Sequence, residues 1–472
     1  MMLLLAIISM GILSYGLNFS SQRLVEVDRK LSENELSSGI LRNVILDQLY
    51  YECGGTVLLR GNATGFFHVG KVNGTSWIID PSGNTFICKA VNHVSYEGDY
   101  APSLGYSPYN RAVSKKYGSS ENWAKASVEK MRNFGFNTIG AWSSDDTFTK
   151  GMPYTIILNI ASTAGSEWLS GKLADFFSSR FESAAYDLAE RLCLPRKDDP
   201  YLLGYFTDNE LRWSPDWRSP NHLIVDYLSL PPEAEGKRAL VEYLRGKYRE
   251  IDALNEAWNT SFSSFEDVLN FYAPPNGNAL ESDALGFLEI LSRRYFQVCH
   301  DAIRKFDPNH LLLGCRYALK PPDEALKGCI DYSDVISINN YSDEPPLKNL
   351  RSIYALTGLP IMITEFSFKA MDSSLPNTKG AGVPLRTQGE RADHYEEYVR
   401  KLISERYVIG YHWFEYTDEP AEGRFDGENS NYGLVDIADD PWTILVTRAT
   451  AINLQAEILH LQGTSASTSS RL

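Results

Sequence analysis

Short apolar runs alternate with longer amphipathic stretches along most of the chain. The runs cover residues 85–91, 137–142, 154–159, 202–207, 311–315, 335–339, 361–364 and 409–414. Between them, apolar residues recur at helical spacing over 121–134, 175–192, 237–258, 284–306, 390–405 and 443–461. Buried strands alternating with helices make a parallel sheet covered by helices. Eight such units close it into a (β/α)₈ TIM barrel of the α/β class. An open doubly wound sheet is the rival architecture, but it calls for a glycine-rich phosphate turn after the first strand, and none is present.

Ahead of the barrel, Trp77-Ile78-Ile79 runs into the turn sequence Asp80-Pro81-Ser82-Gly83-Asn84 and out again at Thr85. This pattern predicts a short N-terminal β-hairpin extension that starts near Phe66 and leads into the first barrel strand. Residues 208–310 are too many for one β-to-α unit, which predicts a helical insertion after strand four, lying over the catalytic face. Residues 463–472 are mostly Ser and Thr and read as a disordered tail. The expected organisation is a signal peptide or membrane anchor over 1–16, an N-terminal extension over 17–65, the barrel over 66–462 and the tail over 463–472.

A formal charge of −15 gives the chain no field that would draw it onto nucleic acid or an anionic membrane, so a neutral, polar partner fits better. Residues 1–17 are apolar and uncharged, with small Ser14 and Gly16 placed for cleavage after Gly16. Secretion is expected. The alternative is an uncleaved anchor with the barrel outside, because the stretch is only slightly short of a membrane span. In an exported chain the six cysteines allow up to three disulfides, and Cys53–Cys88 and Cys315–Cys329 are the expected pairs. Cys88 and Cys315 lie in strand-like runs, where a free cysteine behaves as a small buried hydrophobe. Neither a Cys-x-x-Cys nor a histidine cluster calls for a metal, so no cofactor is expected.

A barrel of this kind carries its chemistry at the C-terminal ends of the strands. The fourth run ends Thr207-Asp208-Asn209-Glu210 and the seventh ends Thr364-Glu365-Phe366. Strands four and seven face each other across the barrel mouth, so the two glutamates can meet across a bound sugar. That pairing suits double displacement, in which one carboxylic acid protonates the leaving oxygen and the other carboxylate attacks the anomeric carbon. Taken singly, a glutamate at a strand end is as often an ordinary ion pair. Asn209 is suited to hold the sugar 2-hydroxyl. The other strand ends supply candidate substrate-binding residues: Asn92 and His93 after the first run, Trp142 after the second, Arg316 after the fifth, Asn339 and Tyr341 at the sixth, and Trp413 at the eighth. An indole at Trp413 could floor the sugar subsite, and the Tyr341 phenol could donate to Glu365.

Asn209-Glu210, Tyr341, Glu365 and Trp413 together resemble the pattern of the large clan of retaining (β/α)₈ glycosidases. Within that clan, GYHWFEYTDEPAEGRFDGENSNYGLVD from Gly410 and TQGERADHYEEYV from Thr387 resemble the β-agarases of glycoside hydrolase family 50. Shorter matching pieces are Phe136 to Gly140, Gly204 to Glu210, Leu254 to Trp258 and Leu313 to Arg316. The resemblance covers about residues 65–455. Residues 17–65 leave little room for the β-sandwich module that such agarases usually carry ahead of the barrel. The resemblance implies Glu210 as acid/base and Glu365 as nucleophile, with Asn209, Tyr341 and Trp413 around the −1 sugar. Asp418, Arg424, Asp426, Glu428 and Asn429, in the loop after strand eight, would lie on the substrate side.

The expected activity is therefore hydrolysis of a β-linked polysaccharide or oligosaccharide, agarase-like, with retention and without a cofactor. A β-galactosidase or β-mannanase of the same clan would use the same two glutamates, and a transglycosylase would differ only in excluding water. A non-catalytic carbohydrate-binding protein on a decayed barrel is the reading from another class. The intact glutamates, Asn209, Tyr341 and Trp413 speak against it.

Overall fold

A computed structural model describes residues 55–468. It begins with a four-stranded antiparallel sheet of β1 (Thr56–Arg60), β2 (His68–Val72), β3 (Thr75–Ile79) and β4 (Asn84–Phe86), in the order β1-β4-β3-β2. The hairpin expected here is the β3–β4 half of this larger sheet. Its turn is fixed by Asp80, whose Oδ1 accepts from the backbone N–H groups of Ser82 (2.9 Å) and Asn84 (2.8 Å). Gly83 supplies the left-handed residue at φ +88°.

The run expected over 85–91 is in fact two strands. Thr85 and Phe86 pair back onto β3, whereas β5 (Cys88–Val91) pairs with the barrel strands on either side. The barrel then continues with β6 (Thr138–Ile139), β7 (Tyr154–Ile157), β8 (Leu202–Phe206), β9 (Leu311–Gly314), β10 (Tyr317–Ala318), β11 (Ile336–Asn339), β12 (Ile361–Phe366) and β13 (Val408–Trp413). All are parallel, in the order β10-β11-β12-β13-β5-β6-β7-β8-β9. Each of the eight apolar runs therefore contributes a barrel strand. The fifth is split at Gly314 (φ +81°) so that β9 pairs with β8 while β10 reaches β11. Closure is completed by Asp334, whose backbone N–H donates to the Leu312 carbonyl (2.9 Å) while its carboxylate accepts from the Leu312 N–H (2.7 Å).

Inside the barrel, Cys88, Ala90, Leu203, Leu313, Met362 and Ile409 pack with Phe67, Ile78 and Phe86 of the N-terminal sheet, all fully buried. The small sheet thus packs against the barrel's interior residues, leaving the C-terminal strand ends for chemistry.

Two of the expected helices are divided. Residues 237–258 form Glu235–Tyr248 and Ile251–Trp258, broken at Arg249 (φ +63°), and residues 443–461 form Thr443–Asn453 and Ala456–Thr468. The last helix continues past Gly463 into the stretch expected to be a disordered tail. Gly463 sits so close to the Ser404 backbone that a Cβ there would meet its carbonyl oxygen at 2.3 Å, so close packing rather than Ser/Thr content decides the conformation. The insertion is helical, as expected. Its helices Leu223–Leu228 and Glu235–Tyr248 pack on Leu280–Phe306. Buried Asp283 of the last ties Glu235–Tyr248 and Ile251–Trp258 to it, accepting from Trp258 Nε1 (2.6 Å) and the Tyr248 hydroxyl (2.9 Å).

Cys88, Cys193, Cys299, Cys315 and Cys329 are free and buried. Neither expected disulfide is therefore formed: Cys88 points at His412 Nε2 (3.4 Å) within the barrel, and Cys329 donates to the Leu326 carbonyl (3.1 Å). Cys53 and the export segment over 1–16 lie outside the described residues, as does most of the 17–65 extension. No helix among the described residues is long and apolar enough to cross a membrane.

Candidate active site

A cavity of about 1180 Å³ opens at the C-terminal strand ends, with Glu210 just past β8 and Glu365 within β12 both on its wall. Glu210 is held from four directions. Its Oε1 accepts from Asn339 Nδ2 (3.0 Å) and its Oε2 from Trp168 Nε1 (3.1 Å). Its backbone N–H donates to the Arg316 carbonyl (3.0 Å), and its carbonyl accepts from Arg218 (2.8 Å). Asn339 is itself oriented, because its Oδ1 accepts from the Thr364 hydroxyl (2.9 Å) and its Nδ2 also donates to Asn209 Oδ1 (3.1 Å). Glu210 adopts φ +49°, a left-handed conformation that a non-glycine residue takes only where its surroundings enforce it.

Glu365 is buried against a phenol and a guanidinium. The Tyr341 hydroxyl donates to its Oε2 (2.6 Å), and Arg316 Nη2 lies 3.1 Å from its Oε1. Arg316 is fully buried, with its guanidinium 4.3 Å from the Trp142 ring centroid and 5.2 Å from that of Phe206. Burial pushes the Glu365 carboxyl up to about 7; Arg316 and Tyr341 pull it down and Glu210 pushes it further up. The Tyr341 phenol, buried beside Glu365, is raised well above its ordinary value and stays a proton donor.

A third group of charges sits at the end of β13. His93 Nδ1 makes a short contact with Glu415 Oε2 and lies 3.9 Å from Asp99 Oδ2. Burial opposes the His93 cation, but Asp99 and Glu415 outweigh it and hold the imidazole up at about 9. Arg424 pairs with Glu419 (3.4 Å), Asp426 (3.0 Å) and Glu428 (2.6 Å). Among the described residues His93, Asp99 and Glu415 could hold a metal, since one ligand atom from each lies within 4.8 Å of the others.

Of the residues singled out from the sequence, Glu210, Glu365, His93, Trp142, Asn209, Asn339, Tyr341, Arg424, Asp426 and Glu428 line the cavity. Five others do not. Asn92 is fully buried, donating to the Thr364 carbonyl (2.8 Å) and accepting from the Ala141 N–H (3.1 Å), so it ties strand ends together. Arg316 is fully buried behind cavity-lining Glu365 and Trp142. Trp413 faces the helix layer, with Nε1 on the Tyr432 carbonyl (2.9 Å) and its ring against Phe366 and Tyr395. Strand alternation turns successive residues to opposite faces, and here it is Phe414 that turns into the cavity. Asp418 is a buried post for its loop, accepting from Asn431 (2.8 Å), Gly433 (2.8 Å) and Trp442 (2.9 Å). Asn429 accepts from the backbone N–H groups of Thr378 and Lys379, both at 3.0 Å.

A search of strand ends could not find Trp168, Trp217 and Phe425, because all three are on loops. Glu415 and Asp99 were also missed. Glu415 directly follows the eighth run, and that position at a strand end was the available signal.

A family model for glycoside hydrolase 42, described as β-galactosidase, matches residues 161–352. β-Agarase B of Vibrio sp. (strain JT0107) is 29% identical, over 84% of this chain and 49% of that protein. β-Agarase A of the same strain is 27% identical, over 76% and 38%. The chain thus spans half or less of the length of these curated relatives. Among solved structures, an exo-β-agarase superposes with a TM-score of 0.79 at 24% identity, covering 91% of this chain and 71% of that one. An agarase crystal structure gives 0.78 at 25% identity, covering 90% and 72%. The chain is thus similar to β-agarases over most of its length, and its fold is the (β/α)₈ barrel.

Proposed function

We propose that this chain is a retaining glycoside hydrolase that cleaves a β-linked, agarose-like galactan, with Glu365 as nucleophile and Glu210 as acid/base. The observation that carries the reading is the asymmetry of two carboxylates on one cavity wall. Glu365 faces a guanidinium and a phenol, which favour its anion and aim its free lone pair. Glu210 is held by Asn339 and the Trp168 indole, which fix its orientation and leave its edge toward the cavity.

In the first step Glu365 attacks the anomeric carbon while Glu210 gives its proton to the departing oxygen. Water then enters, Glu210 takes its proton, and the glycosyl–Glu365 ester is broken from the same side as the bond that was lost. Two carboxylates and water suffice for this cycle, so the chemistry requires no cofactor. Trp142, Trp168, Trp217, Phe414 and Phe425 give the cavity aromatic faces on which sugar rings stack. Asp99, Glu167, Asp426 and Glu428 make its wall acidic, which disfavours sulfated or uronic sugars and suits a neutral galactan. An export segment at residues 1–16 would deliver the enzyme to such a polymer outside the cell.

A β-galactosidase acting on short oligosaccharides is the second reading, favoured by the glycoside hydrolase 42 match over 161–352. Product size from agarose, a β-1,4-galactan and lactose-type disaccharides separates the two. Reducing ends released from agarose, with an initial product that retains its anomeric configuration by proton NMR, are expected. An inverted first product, or no release from any galactan, would sink the proposal.

A further inference from the structure

Seven charged side chains converge at the end of β13, and their donors and acceptors do not balance. Asp99, Glu415, Glu419, Asp426 and Glu428 face Arg424 and His93, and Lys369 adds a further positive charge that acts on Glu419 and Glu428 alone of the five. Arg424 is already engaged by three of the five carboxylates, at 2.6 to 3.4 Å. What remains is His93 between Asp99 and Glu415. Asp99 is nine-tenths buried and Glu415 fully buried, yet Asp99 Oδ2 and Glu415 Oε1 have no hydrogen-bond donor among the described residues. A buried carboxylate oxygen without a donor costs stability unless a cation sits beside it.

We propose that His93, Asp99 and Glu415 bind one divalent metal ion on the wall of the cavity that holds Glu210 and Glu365. The three ligand atoms lie within 4.8 Å of one another. Atoms bound at about 2.1 Å to a common ion stand roughly 3–4 Å apart, so the site assembles with small side-chain shifts. The largest is the opening of the short His93–Glu415 contact to admit the ion, which displaces a proton from the imidazole. One imidazole nitrogen with two carboxylates suits Zn²⁺ or Mn²⁺ better than Ca²⁺ or Mg²⁺, which prefer all-oxygen shells. Because His93 and Asp99 line the cavity while Glu415 lies behind them, the open coordination positions face the space where sugar hydroxyls would lie. The ion would therefore brace the loop after β13 and offer a ligand position to the glycan, while the two glutamates perform the chemistry.

The test reads metal rather than activity, so it stands or falls apart from the hydrolase assignment. Full-length protein is stripped with a chelator and dialysed to equilibrium against Zn²⁺, Mn²⁺, Mg²⁺ or Ca²⁺ at equal concentrations, and bound metal is measured by elemental analysis. About one equivalent of Zn²⁺ or Mn²⁺ is expected, with affinity reduced roughly tenfold or more in Asp99→Asn and in His93→Gln. Cobalt provides a second readout: its visible absorption should change between wild type and His93→Gln as the nitrogen ligand is lost. Should either variant fold poorly, the melting temperature of wild type alone decides, and it should rise with Zn²⁺ or Mn²⁺. Absence of stoichiometric binding, with no rise in melting temperature, overturns the proposal and leaves protonated His93 as the resident cation. Binding that both variants retain unchanged, or binding of Ca²⁺ or Mg²⁺ alone, overturns it equally.

Discussion

Trp168 donates its indole N–H to Glu210 Oε2 at 3.1 Å, joining the loop after the third barrel strand to the end of the fourth. The contact fixes the carboxylate plane from the side opposite Asn339, which holds the other oxygen at 3.0 Å. Replacing Trp168 by Phe keeps most of the packing and removes the donor. A hydrogen bond to a charged group is worth about 1.5–3 kcal/mol, so kcat should fall roughly tenfold to a hundredfold. Steady-state kinetics alongside a melting curve decides the matter. An unchanged kcat would show that the indole only packs.

The pH dependence follows from Glu365. Burial, opposed by Arg316 and Tyr341 and reinforced by Glu210, leaves its carboxyl at about 7 in the free protein. Attack requires the ionised form, whose fraction grows as pH rises through that value. Thus kcat/KM should fall about tenfold per unit as pH drops below 7, reaching about a hundredfold loss from this group at pH 5. A profile already flat at pH 5 would mean that Glu365 is ionised there and that Arg316 outweighs burial.

Arg316 gives the matching variant. Its guanidinium is the largest influence holding the Glu365 carboxyl down, so Arg316→Gln should move the acid limb of kcat/KM upward by roughly a unit or more. A residue that only bound sugar would change KM and leave the limb where it is. The shift of the limb is the readout, measured with substrate well below KM.

Trp413 and Phe414 are neighbours with opposite duties. Trp413 is fully buried among Phe366, Phe368 and Tyr395, and its indole caps the Tyr432 carbonyl. Trp413→Phe should therefore cost about 1–3 kcal/mol, read as a lower melting temperature, with KM unchanged. Phe414→Ala should instead raise KM several-fold, because that ring lines the cavity. If KM responds to Trp413→Phe and not to Phe414→Ala, the orientation of the strand end is wrong.

These two residues also mark how far the sequence could be read. The eight apolar runs carried the barrel, because a strand buried on both faces must be apolar whatever lies around it. Glu210, Asn339, Tyr341 and Glu365 were legible for a related reason: polar residues stand out where such runs end, although the same rule also picked Asn92 and Arg316, which are buried off the cavity. Trp413 was not, since a shift of one residue exchanges core for cavity and composition does not record it. Trp168 and Asp99 were invisible because loops carry no period, and their positions depend on contacts distant in sequence. The four-stranded sheet escaped in part because the break at Ile87, between β4 and β5, lies in the apolar stretch Phe86-Ile87-Cys88, which reads as one strand.

The two glutamates can be told apart by what each variant still does. Glu365→Ala should abolish turnover of every substrate, because no covalent intermediate forms without the attacking carboxylate. Glu210→Ala should be selective. A sugar leaving group needs a proton and so is not released, but a nitrophenyl group departs without one, so glycosylation of Glu365 survives and its hydrolysis becomes limiting. Added azide needs no base, enters from the face that water would use, and should restore turnover of Glu210→Ala with a glycosyl azide of retained configuration. In Glu365→Ala, azide can occupy only the space vacated by the carboxylate, so any azide product should be inverted. The two products differ in anomeric coupling by proton NMR. The opposite pattern would exchange the roles of Glu210 and Glu365, and unchanged activity in both variants would remove the chemistry from this cavity.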